Sequence, residues 1–376
     1  MAAAEYHRGF QFMTCVKARA VASSFAVIAA ALVFAFADAT PAAAFSFGKK
    51  HKEEAPPPPP VEAELTVGPP VLAGYVIDQA GAYASYVRKA SAISPAFPNG
   101  PAVGDALRVG AHSEQHQLQQ GVVAYAAIVA LQDPAFVSAV RGFAAHASQR
   151  DAMVGYILAD PNYVMTLGGH DSAAGLIVAA LNDQATHLRT TGDRVKQESL
   201  DIQLKAAWSK KYVPNPDQRL SDIKQLSASP IAADDDLRAL LQQAAAGSAP
   251  LTLSGPPVTP PYNQAVVRGM ALAALAILGR ASDANMDYVM PLLVNDGDGY
   301  CFSMSKLNLY QCLAVARPYY EDMYCLGLHA LADTGQCVAN SIGHPQPEAP
   351  AALPAAIADA APTGAGGGPG AATPRP

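Results

Sequence analysis

Residues 172–208 read SAAGLIVAALNDQATHLRTTGDRVKQESLDIQLKAAW, and this stretch decides the fold. Large apolar side chains recur in it every seven residues, and small residues occupy the positions between them. The large positions are Leu181, Leu188, Val195 and Ile202, and the small ones are Ala185, Gly192, Ser199 and Ala206. Seam positions spaced 3.5 residues apart predict one helix with a narrow packing seam. At 1.5 Å per residue, such a helix is about 55 Å long.

The small positions of this seam allow another backbone to come close. Gly192 costs about 1 kcal/mol relative to Ala inside a helix, so close packing or a kink must account for it. A second stretch, residues 105–131, offers a matching seam in Ala111, Gln115, Leu118, Val122, Tyr125 and Val129. We expect these two helices to pack side by side. The long seam then belongs either to a bundle within one chain or to a coiled coil with a protein partner or a second copy.

The rest of the middle of the chain also reads as helix. Candidate helices bounded by Pro, Gly and Asp or Ser caps cover residues 71–92, 105–131, 134–149, 151–158, 172–208, 235–245, 262–278, 283–294, 303–316 and 318–332. Asp151 and Asp171 stand where N-caps are expected. Runs of β-branched residues bounded by turns are nearly absent. The sequence therefore predicts an all-α helical bundle.

Proline-rich breakers divide the foldable part of the chain. Residues 213–260 hold repeated Pro and Gly around one short helix, which is typical of a strap between two packed units. This strap separates a predicted helical subdomain at 65–212 from a C-terminal subdomain at 261–344 that contains four Cys. Together these parts make about 280 residues, enough for one large domain or two small ones.

The two ends of the chain differ from the middle. Lys17 and Arg19 precede an uncharged apolar stretch at 21–37, and small-residue cleavage sites follow it. This pattern predicts a signal peptide over residues 1–44 and export to the periplasm or the outside. The alternative is an uncleaved membrane anchor. Residues 45–64 contain five consecutive Pro and predict a linker, and residues 345–376 predict a disordered Pro/Gly/Ala tail.

Composition excludes one broad class of function. The 376 residues carry a formal net charge of −6, and only 15% are charged. Such a chain lacks the basic surplus with which dedicated nucleic-acid-binding proteins neutralise phosphates, so we expect no nucleic-acid partner.

Four Cys follow the apolar N-terminal stretch, with the spacing C-x10-C-x12-C-x11-C from Cys301 to Cys337. An even number of Cys in an exported chain predicts disulfides, and four Cys allow three connectivities. The predicted helices 303–316 and 318–332 form a hairpin, in which residues equally distant from the turn face each other. We therefore expect nested structural disulfides, Cys301–Cys337 and Cys312–Cys325.

Sequential pairing of these Cys is the first alternative, but it requires the first helix to start late. A zinc site is the second, although the usual C-x2-4-C pairs are missing. The layout resembles the twin-CX9C helical hairpins in architecture. Its spacings differ from that family, and the resemblance implies no function here.

Several short motifs contain side chains that are capable of binding or catalysis. His112 and His116 share one face of a helix if residues 105–131 are continuous, and form either a metal pair or a solvated flank. Glu114 lies on the other side, so it cannot serve the same metal. His170, Asp171 and Ser172 are consecutive in a Gly-rich segment, which indicates a capped turn or an anion site.

Two more segments near the C-terminal hairpin carry candidate side chains. Residues 295–299 read NDGDG, which predicts a turn or, alternatively, a weak calcium site that lacks the usual glutamate. The hairpin also carries a group of tyrosines and acids that either faces a glycan or packs at the rim of the core. The group consists of Tyr319, Tyr320, Glu321, Asp322 and Tyr324.

No catalytic, cofactor or metal site is predicted from these motifs. The first hypothesis is an exported cell-envelope protein with a structural or protein-interaction role. The second is a hydrolase of peptidoglycan or polysaccharide with Glu114 or Glu321 as the acid, and the third is a membrane-tethered accessory subunit. The hydrolase requires that a pocket gather two or more of His112, Glu114, His116, His170, Asp171 and Glu321.

Overall fold

The computed structural model describes residues 65–294 and 296–343, with the backbone alone at 296–298. This part of the chain is all-α and contains thirteen α-helices and no strand, as the sequence predicts. The helices are α1 Gly74–Ser91, α2 Gly100–Ala111, α3 Gln115–Ala130, α4 Pro134–Ala144, α5 Ala147–Ala159, α6 His170–Lys205, α7 Pro216–Ser227, α8 Asp235–Ala245, α9 Gln264–Ile277, α10 Met286–Leu293, α11 Asp296–Val315, α12 Tyr319–Cys325 and α13 Asp333–Ser341.

The long helix is confirmed as α6, which has 36 residues. All four large seam residues are buried, and so are the small residues Ala185, Gly192 and Ser199 between them. Because the seam is filled from within the chain, it is not available to a second copy or another protein.

The C-terminal arm, residues 319–341, fills most of this seam. It consists of α12, the π-helical segment Leu326–Ala332 and α13 in one continuous run. Gly327 lies against Gly192, and Gly335 lies against Ala185 and Leu188, so the arm runs antiparallel to α6. The arm occupies most of the position along α6 that we expected residues 105–131 to take. Those residues do not form one helix.

Residues 105–131 are divided between α2 and α3, with a break at 112–114. Glu114 is the N-cap of α3, and its carboxylate accepts a hydrogen bond of 2.8 Å from the backbone N–H of Gln117. The apolar pattern continues through the break, so periodicity alone does not reveal it. Helix α3 contacts α6 but also packs between α1 and α9.

Two predicted helix starts are also wrong. Asp151 lies inside α5, whose N-cap is His146, and its carboxylate instead accepts from Arg150 and Arg280. Helix α6 begins one residue before Asp171, after Gly169, whose φ is +74°. A Cβ at Gly169 would lie 2.4 Å from the backbone nitrogen of Phe136, so close packing as well as the turn requires glycine here.

The π-helical segment is held by side chains from other helices. The hydroxyl of Tyr86 donates to the carbonyl of Ala330 at 2.9 Å, and that of Ser305 donates to the carbonyl of His329 at 2.7 Å. These bonds satisfy carbonyls within a stretch where the regular α-helical pattern is interrupted.

The C-terminal hairpin consists of α11 and the arm, joined by a short turn at residues 316–318. Its disulfides are Cys301–Cys337 and Cys312–Cys325, with Cα–Cα distances of 5.5 and 5.7 Å. This is the nested arrangement. Cys301 and Cys312 lie in the same helix, 11 residues and about 16 Å apart along the axis, which is too far for the sequential pairing.

The strap contains two helices, α7 and α8, where the sequence predicts one. Helix α7 packs on α2 and α11, and α8 packs on α1. Further along, the carbonyl of Pro256 would lie 2.1 Å from a Cβ at Gly175, so the strap crosses the start of α6 in backbone contact. Helix α9 is buried from Ala265 to Ile277 except at Arg268. The helices that precede the strap in the sequence and those that follow it contribute to one common hydrophobic core.

Replacing Gly192 by Ala tests the contact between α6 and the arm. A Cβ there would lie 2.5 Å from the carbonyl oxygen of Gly327 and 2.6 Å from the nitrogen of Ala332. We expect Gly192→Ala to lower the free energy of unfolding by about 1–3 kcal/mol in urea titrations, despite its better helix propensity. Gly155→Ala, in α5 with open space around it, is the control and should raise that free energy by up to about 1 kcal/mol. Equal effects of the two substitutions would contradict the close contact.

The two disulfides should contribute unequally. They close loops with sequence separations of 36 and 13 residues. Replacing the Cys301–Cys337 pair by Ser should cost about 1 kcal/mol more than replacing the Cys312–Cys325 pair, since the longer loop restricts the unfolded chain more. Non-reducing peptide mapping of the intact protein should recover both nested pairs. Recovery of Cys301 linked to Cys312 would exclude this hairpin.

Candidate functional site

His112 and His116, which the sequence leaves as either a metal pair or a solvated flank, do not share a helix face. His112 caps the end of α2, and its Nε2 lies 3.1 Å from the carbonyl oxygen of Pro230. His116 lies in the first turn of α3, with Nδ1 3.1 Å from a carboxylate oxygen of Glu114. The helix break at 112–114 separates the two rings, which contradicts the i, i+4 geometry assumed from the sequence.

Glu114 serves as a helix cap with its carboxylate ionised. Burial by itself raises the pKa of Glu114, but hydrogen bonds from the backbone of Gln117 and His116 and from the His116 ring outweigh it and lower the pKa. A carboxyl group with a lowered pKa donates no proton at neutral pH, so Glu114 is poorly suited to act as a general acid.

Lys306 is a half-buried cation that the sequence does not single out. Its ammonium donates to the carbonyl of Ser227 at 2.7 Å. Burial lowers the pKa of Lys306, and the negative charge of Glu114 acts in the opposite direction. The lysine thus joins α11 to the end of α7.

His170, Asp171 and Ser172 form the start of α6 and make separate contacts. Nδ1 of His170 lies 2.8 Å from the hydroxyl of Tyr262. The hydroxyl of Ser172 donates to the carbonyl of Gly169, and the carboxylate of Asp171 accepts from the backbone of Ser172. The three side chains do not form a Ser/His/Asp relay, because the serine hydroxyl bonds back to its own helix turn.

Residues 296–299 form the first turn of α11. The loop that the sequence predicts before Cys301 is therefore helical from Asp296, and residue 295 lies outside the described residues. Among the residues that the structure describes, no group of three or more His, Cys, Asp or Glu side chains is placed to hold a metal ion.

The tyrosine and acid group of the hairpin is divided between surface and core. Glu321 accepts from the backbone N–H of Arg317 at 2.7 Å and from the hydroxyl of Tyr320 at 3.3 Å. Tyr324 is exposed, whereas Asp322 is buried. The inward orientation of Asp322 rules out its place in a glycan-facing surface patch.

The hydrolase requires a pocket that gathers two or more of six residues, and only two of the six line a cavity described here. His112 lines a cavity of about 270 Å³, and Glu321 lines two others of about 160 and 450 Å³. None of these three cavities contains a second member of the set. The contact between His116 and Glu114 is part of the cap of α3, so it supplies no acid and base pair around a pocket.

A cleft of about 410 Å³ between α2, α7 and the start of α12 contains the best-defined charged site. Its lining includes Gly104, Arg108, Asn215, Arg219, Tyr319 and Asp322. Asn215, the N-cap of α7, has a φ of +50°, a left-handed conformation that Asn tolerates better than most side chains. The sequence missed this site because it did not predict α7.

Arg219 and Asp322 form a buried ion pair in the wall of this cleft. The guanidinium of Arg219 also donates to the carbonyls of Leu313 and Ala316, in the last turn of α11 and just after it. Positive charge is favourable at the C-terminal end of a helix, where carbonyls lack helical partners. Arg219 thus clamps the turn of the hairpin to the strap.

Burial raises the pKa of Asp322 to about 6, against the opposing effect of Arg219, and the negative charge of Glu321 adds to the rise. Perturbed carboxyls beside clefts are often functional, but ion pairs that hold structure together perturb a pKa in the same way. Here the bonds from Arg219 to two carbonyls account for the position of the pair.

Among the described residues, no single helix has the length and apolar composition to cross a membrane. Helices α3 and α4 pass that test only as a pair, and they are bent by 85° at the break between them.

Comparison with protein-family models, curated proteins and solved structures finds no match to this chain.

The Arg219–Asp322 pair predicts a pH dependence of stability. The pKa of Asp322 is raised from 3.8 to about 6, so the folded state binds this proton more tightly than the unfolded state. The stabilisation that comes from the protonated carboxyl of Asp322 is fully present below about pH 4. As the pH rises through 6 this stabilisation is lost, and the free energy of unfolding falls by up to about 3 kcal/mol. In urea titrations from pH 4 to 7, Asp322→Asn should remove this part of the slope.

Asp105→Asn is the matched control, because Asp105 lines the same cleft but its side chain is 78% exposed. It should leave the slope of the wild-type protein unchanged. If Asp322→Asn and the wild-type protein show the same slope, the carboxyl of Asp322 titrates near its ordinary pKa.

Proposed function

We propose that this protein is exported and serves as a non-enzymatic structural or protein-interaction component of the cell envelope. The observation that carries the proposal is the pair of nested disulfides in the C-terminal hairpin. Disulfides persist in oxidising compartments such as the periplasm and the cell exterior, and are rare in the cytosol.

Two features of the sequence agree with export. The apolar stretch at 21–37, with Lys17 and Arg19 before it and small residues after it, has the order of a signal peptide. A Pro-rich stretch at 45–64, whose composition is typical of a linker, follows it. If the apolar stretch is retained, the same protein is a membrane-tethered accessory component.

An interaction role is favoured over hydrolysis by the position of the candidate catalytic groups. Glu114 is an ionised helix cap, His170 is hydrogen-bonded to Tyr262, and Glu321 is hydrogen-bonded to the backbone at the turn of the hairpin. Each of these side chains has a local structural partner. No observation on the described residues favours the hydrolase.

Export is tested by fractionating cells that produce the full chain. We expect the protein in the fraction released by osmotic shock or in the medium, with both disulfides formed and a mature N-terminus near Thr40 or Phe45. Leu32→Arg, which places a charge within the apolar stretch, should hold the protein in the cytosol with reduced Cys. Leu65→Arg, beyond the stretch, is the control and should leave export unchanged.

Recovery of reduced protein from the cytosol of wild-type cells would overturn the proposal. Recovery in the membrane fraction with an intact N-terminus, and with the disulfides formed, would favour the tethered form over the cleaved one.

A further inference from the structure

The free end of the C-terminal hairpin exposes a group of apolar and aromatic side chains. We call it the hairpin tip patch, and it consists of the exposed residues Leu200, Leu204, Tyr212, Val315 and Tyr324 and the partly buried Tyr320. Leu204 is 90% exposed, Tyr212 75%, Val315 74% and Leu200 50%. Scattered exposed apolar residues are normal, but a contiguous group marks a surface that binds something.

Three elements bring the patch together. Leu200 and Leu204 lie one turn apart near the end of α6, and Val315 ends α11. The segment after α6 joins the turn of the hairpin through backbone hydrogen bonds, from Val213 to Arg317 and from Tyr319 to Lys211. These bonds place Tyr212 next to the turn.

Two adjoining cavities shape the patch. One, of about 160 Å³, has Leu200 and Tyr324 in its walls and the Cys312–Cys325 disulfide beside it. The other, of about 450 Å³, is lined by Lys210, Tyr212 and Arg317 among others. They share Gln203, Val315, Tyr320 and Glu321. An apolar space therefore lies directly beside a space that is lined by two cations and one carboxylate.

Three cations at this end of the molecule have no carboxylate partner for their side chains among the described residues, whereas Lys205, beside Leu204, lies 3.8 Å from carboxylate oxygens of Glu198 and Asp201. Lys210 and Lys211 form no ion pair there, and the guanidinium of Arg317 donates to the carbonyls of Ala314 and Ala316. Elsewhere, cations such as Arg88 and Arg238 are paired with Asp side chains. Positive charge thus remains available at the rim of the patch.

We propose that the hairpin tip patch binds the surface of a bilayer that contains anionic lipid. Leu200, Leu204 and Val315 enter the boundary between head groups and acyl chains, and the tyrosine rings lie at head-group level. Lys210, Lys211 and Arg317 lie near lipid phosphates, where each basic residue adds to the attraction.

Two observations favour lipid over a protein partner. Lys is depleted in protein–protein interfaces but favoured beside apolar side chains at membrane surfaces. Leu204 is almost fully exposed and lines neither cavity, so it projects outward as an inserting side chain does. The inference deepens the proposed envelope role, since it names what the protein meets there.

Co-sedimentation with vesicles measures this contact directly, and the only tryptophan of the chain, which is partly buried, gives a second, optical readout. Trp208 lies two residues before Lys210, with its ring centroid 6.4 Å from that of Tyr319 at the start of α12. We would add vesicles of phosphatidylglycerol and phosphatidylethanolamine to the full chain and follow Trp208 emission. A blue shift is expected, together with quenching when the acyl chains carry bromine. Phosphatidylcholine vesicles should have a much weaker effect, and added salt should weaken binding to the anionic vesicles.

Two double variants test the two parts of the patch. Leu204→Gln with Val315→Gln should abolish the quenching by brominated lipid. Lys210→Glu with Lys211→Glu should lower the affinity for anionic vesicles by at least about thirtyfold, since the loss of each surface Lys costs roughly fivefold and the two added negative charges lower the affinity further. Leu240→Gln on α8 and Arg141→Glu on α4 are the matched controls, and both should bind as the wild-type protein does. Both control residues are exposed and lie outside the patch.

Failure of the wild-type protein to co-sediment with anionic vesicles at low salt would overturn the inference, as would binding that the patch variants do not weaken. If the wild-type protein self-associates in sedimentation velocity and the Leu204→Gln, Val315→Gln variant does not, the patch is a protein interface instead. None of these results bears on export, which the fractionation experiment tests separately.

Discussion

The contact between Gly192 of α6 and Gly327 of the C-terminal arm is the constraint on which the rest of the structure depends. A Cβ at either glycine would lie within 2.6 Å of backbone atoms of the other helix, so no larger residue fits without movement. This contact places the arm along the seam of α6. The arm in turn determines where α11 lies, because two disulfides join α11 to it.

The disulfides and the seam of α6 stabilise different contacts. Both bonds lie within the hairpin, so they hold α11 against the arm and do not attach the hairpin to the body of the protein. That attachment is noncovalent and consists of the buried seam, the bond from Tyr86 to the π-helical segment and the clamp of Arg219 on the hairpin turn. Reduction should therefore loosen the hairpin before it separates α6 from the arm.

The same arrangement leaves apolar side chains exposed at one end of the molecule, where we propose a contact with lipid. Near the start of α6 the strap covers the helix in backbone contact at Gly175, and His170 is bonded to Tyr262. At the other end, α6 and α11 finish with Leu204 and Val315 exposed, and the adjacent Lys210 and Lys211 have no carboxylate partner among the described residues. Charge and apolar surface thus remain available where the hairpin turns.

The sequence by itself determined the all-α class, the extent of α6 to within a few residues, its buried seam and the nested pairing expected of a hairpin. Each of these follows from spacing along one or two helices, which is a local property. Only the tertiary structure decided that the arm fills the seam, that Glu114 ends one helix and begins another, and that Asp322 turns inward to Arg219. Those outcomes depend on which surfaces, distant in the sequence, pack against each other and bury their apolar side chains. The apolar pattern of 105–131 is equally compatible with one helix or two. The hairpin tip patch belongs to the same class, because Leu204, Tyr212 and Val315 become neighbours only when the chain has folded.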